Sequence, residues 1–249
     1  MKTPIVSVFI PVYNGEKYLS ETLRSLQMQT LVELEVIIVN DGSKDHTVDV
    51  ARGIIGNDDR FQIISHDINK GPAAARNTGW RSCNPNSPYL MNHDCDDISL
   101  PTKLERLVSY LNTNPRIDAV GCFADYIDTK GNIIGVPHIH WNPRKIRSTF
   151  AKLNSMINSA TLMRRKLVEH IAPYNSAYPS CDDYDFWARS LLAGFELANI
   201  PEVLHKIRIH PESIVATRGE ELQSHVAVIS KNYRKERRRN LFKIFGTRK

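Results

Sequence analysis

Four short apolar runs, each followed by a polar turn and a helical pattern, constrain the fold of this chain more than any other feature. The runs cover residues 4–13 (PIVSVFIPVY), 34–39 (LEVIIV), 61–65 and 89–91, with helical patterns at 16–28, 45–55 and 71–82. Runs that are apolar on both faces and alternate with helices predict an α/β fold with a mostly parallel sheet, covered on both sides. Ligands bind beyond the carboxyl ends of the strands in such sheets. The polar residues directly after each run are therefore the candidate site.

Size and composition set the limits of this interpretation. The chain has 249 residues, of which 41% are hydrophobic, enough for one domain of this type or two smaller ones. It shows no uncharged apolar stretch of the ~18 residues that a membrane span requires, and no signal-peptide pattern at its start. The four cysteines are scattered, which favours reduced thiols in the cytoplasm. After about residue 115 the alternation is less regular, and 136–160 is expected to be a long connecting segment.

Basic residues are concentrated at the end of the chain. Residues 231–249 hold nine Lys and Arg and one Glu, so the rest of the chain is slightly acidic although the formal net charge is +6. Apolar residues at helical spacing precede and enter this segment: Leu222, Val226, Ile229 and Tyr233. Such a helix can lie on an anionic membrane surface, and a solvated charged end is the alternative. No nucleic-acid partner is expected, because the body is acidic and contains no recognised binding module.

The strongest chemical signal is the segment His93-Asp94-Cys95-Asp96-Asp97, which directly follows the fourth apolar run. Three carboxylates within four positions repel one another unless a positive charge compensates them. Mn²⁺ or Mg²⁺ provides that charge and typically binds one or two protein carboxylates together with phosphate oxygens. A solvated loop, or an N-cap for the helix that begins near Pro101, is the alternative interpretation.

A second group of acids is Cys181-Asp182-Asp183-Tyr184-Asp185, ahead of an amphipathic helical pattern. Acidic side chains are favoured at the N-terminal end of a helix because they interact with its dipole. That structural role and a role as carboxylate general base are both open.

Three weaker signals accompany the acidic groups. The turn Asn40-Asp41-Gly42-Ser43 offers a carboxylate to a ligand or to the next helix, and Asn14 can cap the helix that follows it. Arg76 follows three alanines; it can reach a phosphate, or it is a surface residue on a closely packed helix. His210 lies in Arg208-Ile209-His210-Pro211, and a single histidine is more often structural than a ligand. The motifs of serine hydrolases, P-loop enzymes, zincins and dinucleotide-binding proteins are missing.

Taken together and in this order, these segments resemble the family 2 glycosyltransferases with the GT-A fold. The resemblance covers residues 5 to about 215. It rests on the segments 6–14, 16–19, 35–43, 69–71, 75–77, 94–97, 182–187 and 208–210. The sequence departs from the pattern at three places, one of which is the D-x-D motif, where His93 and Cys95 replace more usual apolar or small residues. Asn40 stands where the family often has an acid, and the pair Asp182-Asp183 stands where Glu-Asp is commoner.

The resemblance implies roles for individual residues. The nucleotide-sugar site would comprise Pro11, Tyr13, Asn14, Asp41, Arg76 and Asp94. Tyr13 would stack on the base and Asp41 would bind its edge. Arg76 and Asp94 would lie near the ribose and diphosphate. Asp96, the last acid of the D-x-D motif, would be the principal ligand of Mn²⁺ or Mg²⁺, with His210 helping. Asp183 would be the catalytic base, with Asp182 as the alternative.

The expected protein is an inverting, metal-dependent hexosyl- or N-acetylhexosaminyl-transferase. It would move a sugar from a nucleotide-sugar, most commonly a UDP-sugar, to a saccharide or lipid-linked acceptor in bacterial surface polysaccharide biosynthesis. A GT-A domain is expected at 1–215, with a nucleotide-binding half at 1–115 and an acceptor-binding half at 116–215. Residues 216–249 would form a basic helix or tail that holds a cytoplasmic enzyme at the inner face of the plasma membrane. The alternatives are a sugar nucleotidyltransferase, whose Gly-rich phosphate loop is missing, and a non-catalytic sugar-nucleotide or glycan-binding relative.

Overall fold

The computed structural model describes residues 3–246, without the side chains of Val215 and of residues 241–246. The strands are β1 (Val6–Val12), β2 (Leu34–Asn40), β3 (Phe61–Ser65), β4 (Tyr89–Asn92), β5 (Ile98–Ser99), β6 (Ala119–Ile127), β7 (Ile133–Gly135), β8 (Leu162–Arg164) and β9 (Leu197–Arg208). The helices are α1 (Leu19–Gln27), α2 (Thr47–Ile55), α3 (Pro72–Ser82), α4 (Lys103–Thr113), α5 (Pro143–Thr149), α6 (Arg165–Ile171), α7 (Asp182–Leu192), α8 (Ile214–Thr217) and α9 (Gly219–Gly246).

The described strands form one sheet in the order β3-β2-β1-β4-β8-β6-β9-β5, with β7 beside β6. Strands β1 to β4 are parallel and linked by α1, α2 and α3, as the alternating pattern predicts. Two clusters of buried apolar side chains cover the two faces of this half, one around Phe9 and one around Val8, because consecutive strand residues point to opposite faces. The expected α/β architecture is confirmed.

The second half of the sheet mixes strand directions. Strand β8 is antiparallel to both β4 and β6, and β5 is antiparallel to β9, whereas β6 and β9 are parallel. The segment 136–160, expected to be only a connection, contains the helix α5. The Asn142 side chain caps this helix by accepting the backbone N–H groups of Arg144 and Lys145, and Pro143 occupies the first helical turn.

Strand β1 extends beyond its pairing with β4, and the region beyond this point is called the cleft below. The two strands pair only as far as Phe9 and Asn92, while β1 continues to pair with β2 up to Val12. Pro11 has no N–H group to donate, and it lies in the part of β1 that no longer pairs with β4. Here the chain has placed β2 and β3 on one side of β1 and β4 on the other. Such a switch point is where ligands bind in α/β sheets.

The helix α9 packs against α7 and belongs to the body of the protein. Its residues at helical spacing contact the apolar cluster around Phe9, with Ile229 and Tyr233 buried and Leu222 and Val226 partly buried. The Tyr233 hydroxyl donates to the carbonyl oxygen of Arg147 at 3.1 Å. The apolar face through Tyr233 is therefore not available to a membrane. Within the described residues, no helix has the length and hydropathy of a membrane span.

Candidate active site

The turns after β1 and β2 are bound to each other at the edge of the cleft. The ring of Tyr13 is 46% exposed. Asn14 adopts a positive φ of 52°, donates its N–H to Ser43 Oγ and accepts the N–H of Lys44, both at 2.9 Å. The expectation that Asn14 caps the next helix is wrong, since α1 begins at Leu19 without a side-chain cap. Asn14 instead fixes the turn that presents Tyr13.

Asp41 is buried and holds the loop after β3. Gly42 has φ +70°, and a Cβ atom on it would lie 2.6 Å from the carbonyl carbon of Ile68, so this approach needs glycine. The Asp41 carboxylate has three protein partners: His66 Nδ1 at 2.7 Å, the N–H of Lys70 at 3.0 Å and the N–H of Gly71 at 2.8 Å. Its contact with a nucleotide base stays a prediction. Nothing in the sequence indicated that His66 binds Asp41.

Arg76 joins the two acidic clusters. It is 7% exposed, which rules out the alternative of a surface arginine. Its Nη1 atom lies 2.5 Å from Asp182 Oδ1, and its Nη2 atom lies 3.4 Å from Asp94 Oδ1. The Nε atom donates to Asn92 Oδ1, at the end of β4, at 3.3 Å. A buried guanidinium is stable only when such partners compensate its charge. Arg76 therefore orients both clusters at the mouth of the cleft.

Asp182 and Asp183 begin α7 but have different surroundings. Asp182 is 2% exposed and is paired with Arg76, while its second oxygen is buried with no hydrogen-bond partner among the described residues. Asp183 is half-buried, and its Oδ1 accepts the N–H of Tyr184 at 2.7 Å. Burial raises the pKa of Asp183, although Arg76 acts in the opposite direction. A carboxylate with these properties can accept a proton.

Asp183 also lines a cavity between the start of α7 and α9. The cavity has a volume of about 250 Å³. Its lining residues are Ala151, Lys152, Asn154, Ser180, Cys181, Asp183, Tyr184, Leu222, Val226 and Ser230. Asp182 is not among them. The acid that lines this cavity is thus the one without an ion-pair partner among the described residues.

Asp96 and His210 meet across a long separation in sequence. The antiparallel pairing of β5 with β9 brings them together, and His210 Nε2 lies 2.8 Å from Asp96 Oδ2. His210 Nδ1 lies 2.9 Å from Glu212 Oε2, and its ring packs on Tyr18 with centroids 4.9 Å apart. The hydrogen bond that His210 donates to Asp96, partly offset by burial, raises the pKa of His210.

This pair fits a divalent cation of the expected kind. In the described part of the chain, no group of three or more His, Cys, Asp or Glu side chains is placed to hold a metal ion. Mg²⁺ and related cations commonly take one or two protein carboxylates and complete their shell with substrate phosphates and water. The Asp96 carboxylate is a ligand of that type and its side chain is 23% exposed, while the His210 imidazole beside it adds a nitrogen donor once it is neutral. They would leave most coordination positions of the cation to substrate phosphates and water.

Sequence reasoning missed a buried polar network beneath this pair. Asp97 is 3% exposed, and its Oδ2 accepts from Ser159 Oγ at 2.5 Å and from His205 Nε2 at 3.0 Å. The Nζ atom of the buried Lys103 lies 3.0 Å from His205 Nδ1 and donates to the Ser159 carbonyl at 2.6 Å. Asp97 Oδ1 accepts the N–H of Arg208, which fixes the strand end that carries His210. Burial raises the pKa of Asp97 to about 7 and lowers that of Lys103 to about 8.

The family assignment follows from comparison with known proteins. The family model described as Glycosyl transferase family 2 matches residues 7–172 of this chain. The chain belongs to glycosyl transferase family 2. An uncharacterized glycosyltransferase of Haemophilus influenzae is 36% identical over 216 residues, which cover 83% of this chain and 66% of that protein. One of Methanocaldococcus jannaschii is 30% identical over 216 residues, covering 84% of this chain and 72% of that protein.

Solved structures confirm the GT-A fold of this family 2 chain. S. aureus TarS 1–349 in complex with UDP-GlcNAc matches with a TM-score of 0.73 and 19% identity, over 90% of this chain and 66% of that one. The mannosyltransferase PcManGT from Pyrobaculum calidifontis, in complex with GDP-Man and Mn²⁺, matches with a TM-score of 0.67 and 20% identity. That match covers 88% of this chain and 61% of the mannosyltransferase chain. At such identities the likeness concerns the fold.

Proposed function

We propose that this family 2 chain is an inverting glycosyltransferase that uses Mn²⁺ or Mg²⁺. It transfers a sugar from a UDP-sugar to a hydroxyl group of a saccharide or lipid-linked acceptor. One observation carries the proposal. Arg76 joins the cluster that contains Asp96 to the cluster that contains Asp183, at the point where β1 and β4 separate. A metal-binding carboxylate and a basic carboxylate are thereby held at one cleft.

The donor end of the cleft is suited to a nucleotide diphosphate. The exposed Tyr13 ring offers a surface on which a base can stack. The side chain of Asp94, next to Arg76, is 37% exposed. Two proteins of the same fold were solved with nucleotide-sugars, TarS with UDP-GlcNAc and the mannosyltransferase with GDP-Man. These matches support a nucleotide-sugar donor, and UDP is the first nucleotide to test.

Each part of the proposed reaction is assigned to particular residues of the protein. Asp96 and His210 would hold the cation, which when bound supplies Lewis-acid stabilisation of the charge on the departing diphosphate. The positive charge of Arg76 adds to the stabilisation of that charge. Asp183 accepts the proton of the acceptor hydroxyl as the hydroxyl oxygen attacks the anomeric carbon. Attack from the face opposite the leaving group inverts the anomeric configuration.

The geometry favours Asp183 over Asp182 as the base. Asp182 is held by Arg76 at 2.5 Å, so protonating it would leave a buried guanidinium with weaker compensation. Asp183 has no ion-pair partner among the described residues and faces a cavity large enough to admit part of an acceptor. Asp182 then acts as a positioning residue that fixes the start of α7.

The cellular role is part of the same proposal. We place the enzyme in the cytoplasm of a bacterium, where it adds a hexosyl or N-acetylhexosaminyl unit during surface polysaccharide assembly. The four cysteines are free, which fits a reducing compartment. Exposed cations on α9, including Lys231 and Lys235, would attract an anionic inner membrane face. The segment 241–245, in which four apolar residues flank Lys243 and which the sequence also offers to a membrane, has side chains outside the described part.

A nucleotide-binding panel tests the donor proposal. Thermal unfolding is measured with UDP, GDP and dTDP, each with Mn²⁺ and with EDTA. A ligand at ~100 times its dissociation constant adds about 2.7 kcal/mol to the free energy of unfolding. We expect a Mn²⁺-dependent gain for UDP, lost in Asp96→Ala and kept in the control Asp59→Ala, which removes an exposed carboxylate. A gain that EDTA does not reduce contradicts the metal assignment. Pyrophosphate release from a sugar phosphate and UTP would instead identify a nucleotidyltransferase.

A further inference from the structure

A second cavity, separate from the donor cleft, lies between the end of α5 and α9. Its volume is about 270 Å³. Its lining residues are Ser148, Thr149, Ala151, Lys152, Tyr233, Arg234, Arg237 and Arg238. It shares Ala151 and Lys152 with the cavity that Asp183 lines. The two cavities therefore adjoin and form one groove along α9.

Four cations border this second cavity, and none has an acidic partner in the part of the chain that the structure describes. Within the described residues, none of Lys152, Arg234, Arg237 and Arg238 has a carboxylate within 4.0 Å. The neighbouring Glu236 is paired instead with Arg239, on another side of α9. Like charges that converge on one site repel each other unless an anion lies between them. The cavity thus lacks the negative charge that would complete it.

Two of these arginines are already oriented by the protein. Arg234 Nη2 donates to the carbonyl oxygen of Ala151 at 2.8 Å, and Arg237 Nη1 donates to that of Ser148 at 3.5 Å. A guanidinium has five N–H donors in a fixed plane, so each arginine keeps further donors for a ligand. Planar donor groups held in this way suit the oxygens of a phosphate.

We propose that the acceptor of this enzyme carries a phosphate group that binds in the second cavity, while its attacking hydroxyl lies at Asp183. This inference rests on the proposed function and adds the chemical class of the acceptor. The phosphate belongs either to a lipid-linked saccharide or to a water-soluble sugar phosphate. Both sources present the same anionic group to Arg234, Arg237 and Arg238. The helix α9 is then one wall of the acceptor site rather than a separate tail.

The chain offers a matched pair of variants. R234Q/R237Q/R238Q removes three charges from the cavity wall. K231Q/K235Q/R239Q removes three charges from an exposed stripe of the same helix that does not line the cavity. A third variant, Lys152→Gln, changes a cavity residue outside α9 whose side chain makes no described hydrogen bond. It reports on the cavity even if the first variant loosens the packing of α9.

The probes are decyl phosphate below its micellar concentration, glucose 6-phosphate, and vesicles of phosphatidylglycerol with phosphatidylcholine vesicles as reference. Each protein is first titrated calorimetrically with UDP and Mn²⁺, and then with the phosphates at saturating UDP. The first titration reads UDP binding, and unchanged UDP binding in R234Q/R237Q/R238Q assigns it to the proposed donor site. A wild type that binds decyl phosphate but not UDP would contradict the proposed function and not the phosphate site. The reverse result would overturn the phosphate site and leave the donor site standing.

We expect decyl phosphate to bind the wild type and K231Q/K235Q/R239Q equally. It should bind R234Q/R237Q/R238Q about tenfold or more weakly, since hydrogen bonds to charged groups are lost. Lys152→Gln should show a smaller loss. Tighter binding of decyl phosphate than of glucose 6-phosphate supports a lipid-linked acceptor, and equal binding supports a soluble one. Equal weakening in both triple variants overturns the inference, as does binding to anionic vesicles without binding to either phosphate.

Discussion

The acidic cluster after β4 and the one that begins α7 share a plan and differ in the partner of their buried acid. Each has one carboxylate buried in protein contacts and a neighbour that faces the cleft or a cavity: Asp97 beside Asp96, and Asp182 beside Asp183. The partner of Asp182 is a guanidinium, which keeps its charge at every relevant pH. The hydrogen-bond donors to Asp97 are a hydroxyl, the backbone N–H of Arg208 and His205, whose pKa burial lowers well below its usual value.

In the proposed function, the two adjacent aspartates of each cluster perform different tasks. The inner acid holds backbone and side chains in place, and the outer acid is more exposed and would meet a substrate in the proposed function. Substitution by Asn removes the charge and keeps the size at all four positions. It should therefore affect activity at the outer positions and stability at the inner ones. Of the two inner positions, the one whose partner is charged should lose more stability on substitution.

The largest effect is expected from Asp183→Asn. General-base assistance is worth about 10²–10⁴-fold, so product formation should fall by that factor. UDP binding and thermal unfolding should stay near their wild-type values, since Asp183 is half-buried and has no ion-pair partner among the described residues. The measurement is the initial rate of UDP release from a UDP-sugar with a working acceptor. A variant with close to full turnover would falsify the assignment of the base.

Asp182→Asn should mainly reduce stability. Breaking a buried ion pair costs about 3–5 kcal/mol, and the lower end applies because Asp94 remains 3.4 Å from Arg76. For a chain of this size each kcal/mol corresponds to roughly 2–4 °C in Tm. Calorimetric unfolding of Asp182→Asn beside Asp183→Asn gives the comparison within one cluster. Equal Tm values for the two variants would contradict the division into inner and outer acids.

Asp97→Asn should cost less, on the order of 1 kcal/mol, because it weakens hydrogen bonds without exposing an unpaired guanidinium. Burial raises the pKa of Asp97 to about 7, which lowers the free-energy cost of replacing its carboxylate with a neutral amide. Urea unfolding at pH 7 measures the difference. The idea that the partner's charge sets the cost fails if this variant loses as much stability as Asp182→Asn.

The smallest expected effect is a displacement of the pH profile. A general base acts in its deprotonated form, so activity falls as pH drops through its pKa. Burial raises the pKa of Asp183, so the acid limb of kcat should lie at a higher pH than the ordinary value of 3.8. The residual activity of Asp183→Asn should lack this limb. The measurement is kcat as a function of pH for the wild type and for Asp183→Asn. An acid limb of the wild type at or below the ordinary pKa of 3.8 would argue for another base.

The parallel half of the fold was readable from the sequence because its signals are local. Each run of five to seven strand residues is followed within a few positions by its own helix, and β1, β2 and β3 begin and end within two residues of the apolar runs. The mixed half gave weaker signals. Its strands β5, β7 and β8 have only two or three residues, and their pairing depends on partners far away in the chain.

In the candidate site, too, only the features that depend on nearby residues could be predicted from the sequence. The position of Asp96 after a strand and of Asp183 at a helix start could be predicted, since each depends on neighbours in sequence. The burial of Arg76 between two clusters could not, because its partner Asp182 is 106 positions away. The buried Lys103 gave no signal either, since the first turn of a helix ordinarily exposes a lysine.

By itself, the sequence determined the family, the alternation of strands and helices, and which residue types are present at the strand ends. These properties follow from side-chain periodicity and from the order of short motifs. Only the tertiary structure decided which aspartate of each pair is the more exposed, that Asp96 meets His210, and that α9 borders the groove beside Asp183. Those outcomes depend on which charges are desolvated together when β5 pairs with β9 and α7 packs on α9. Desolvation is a property of the assembled fold, and no local stretch of sequence specifies it.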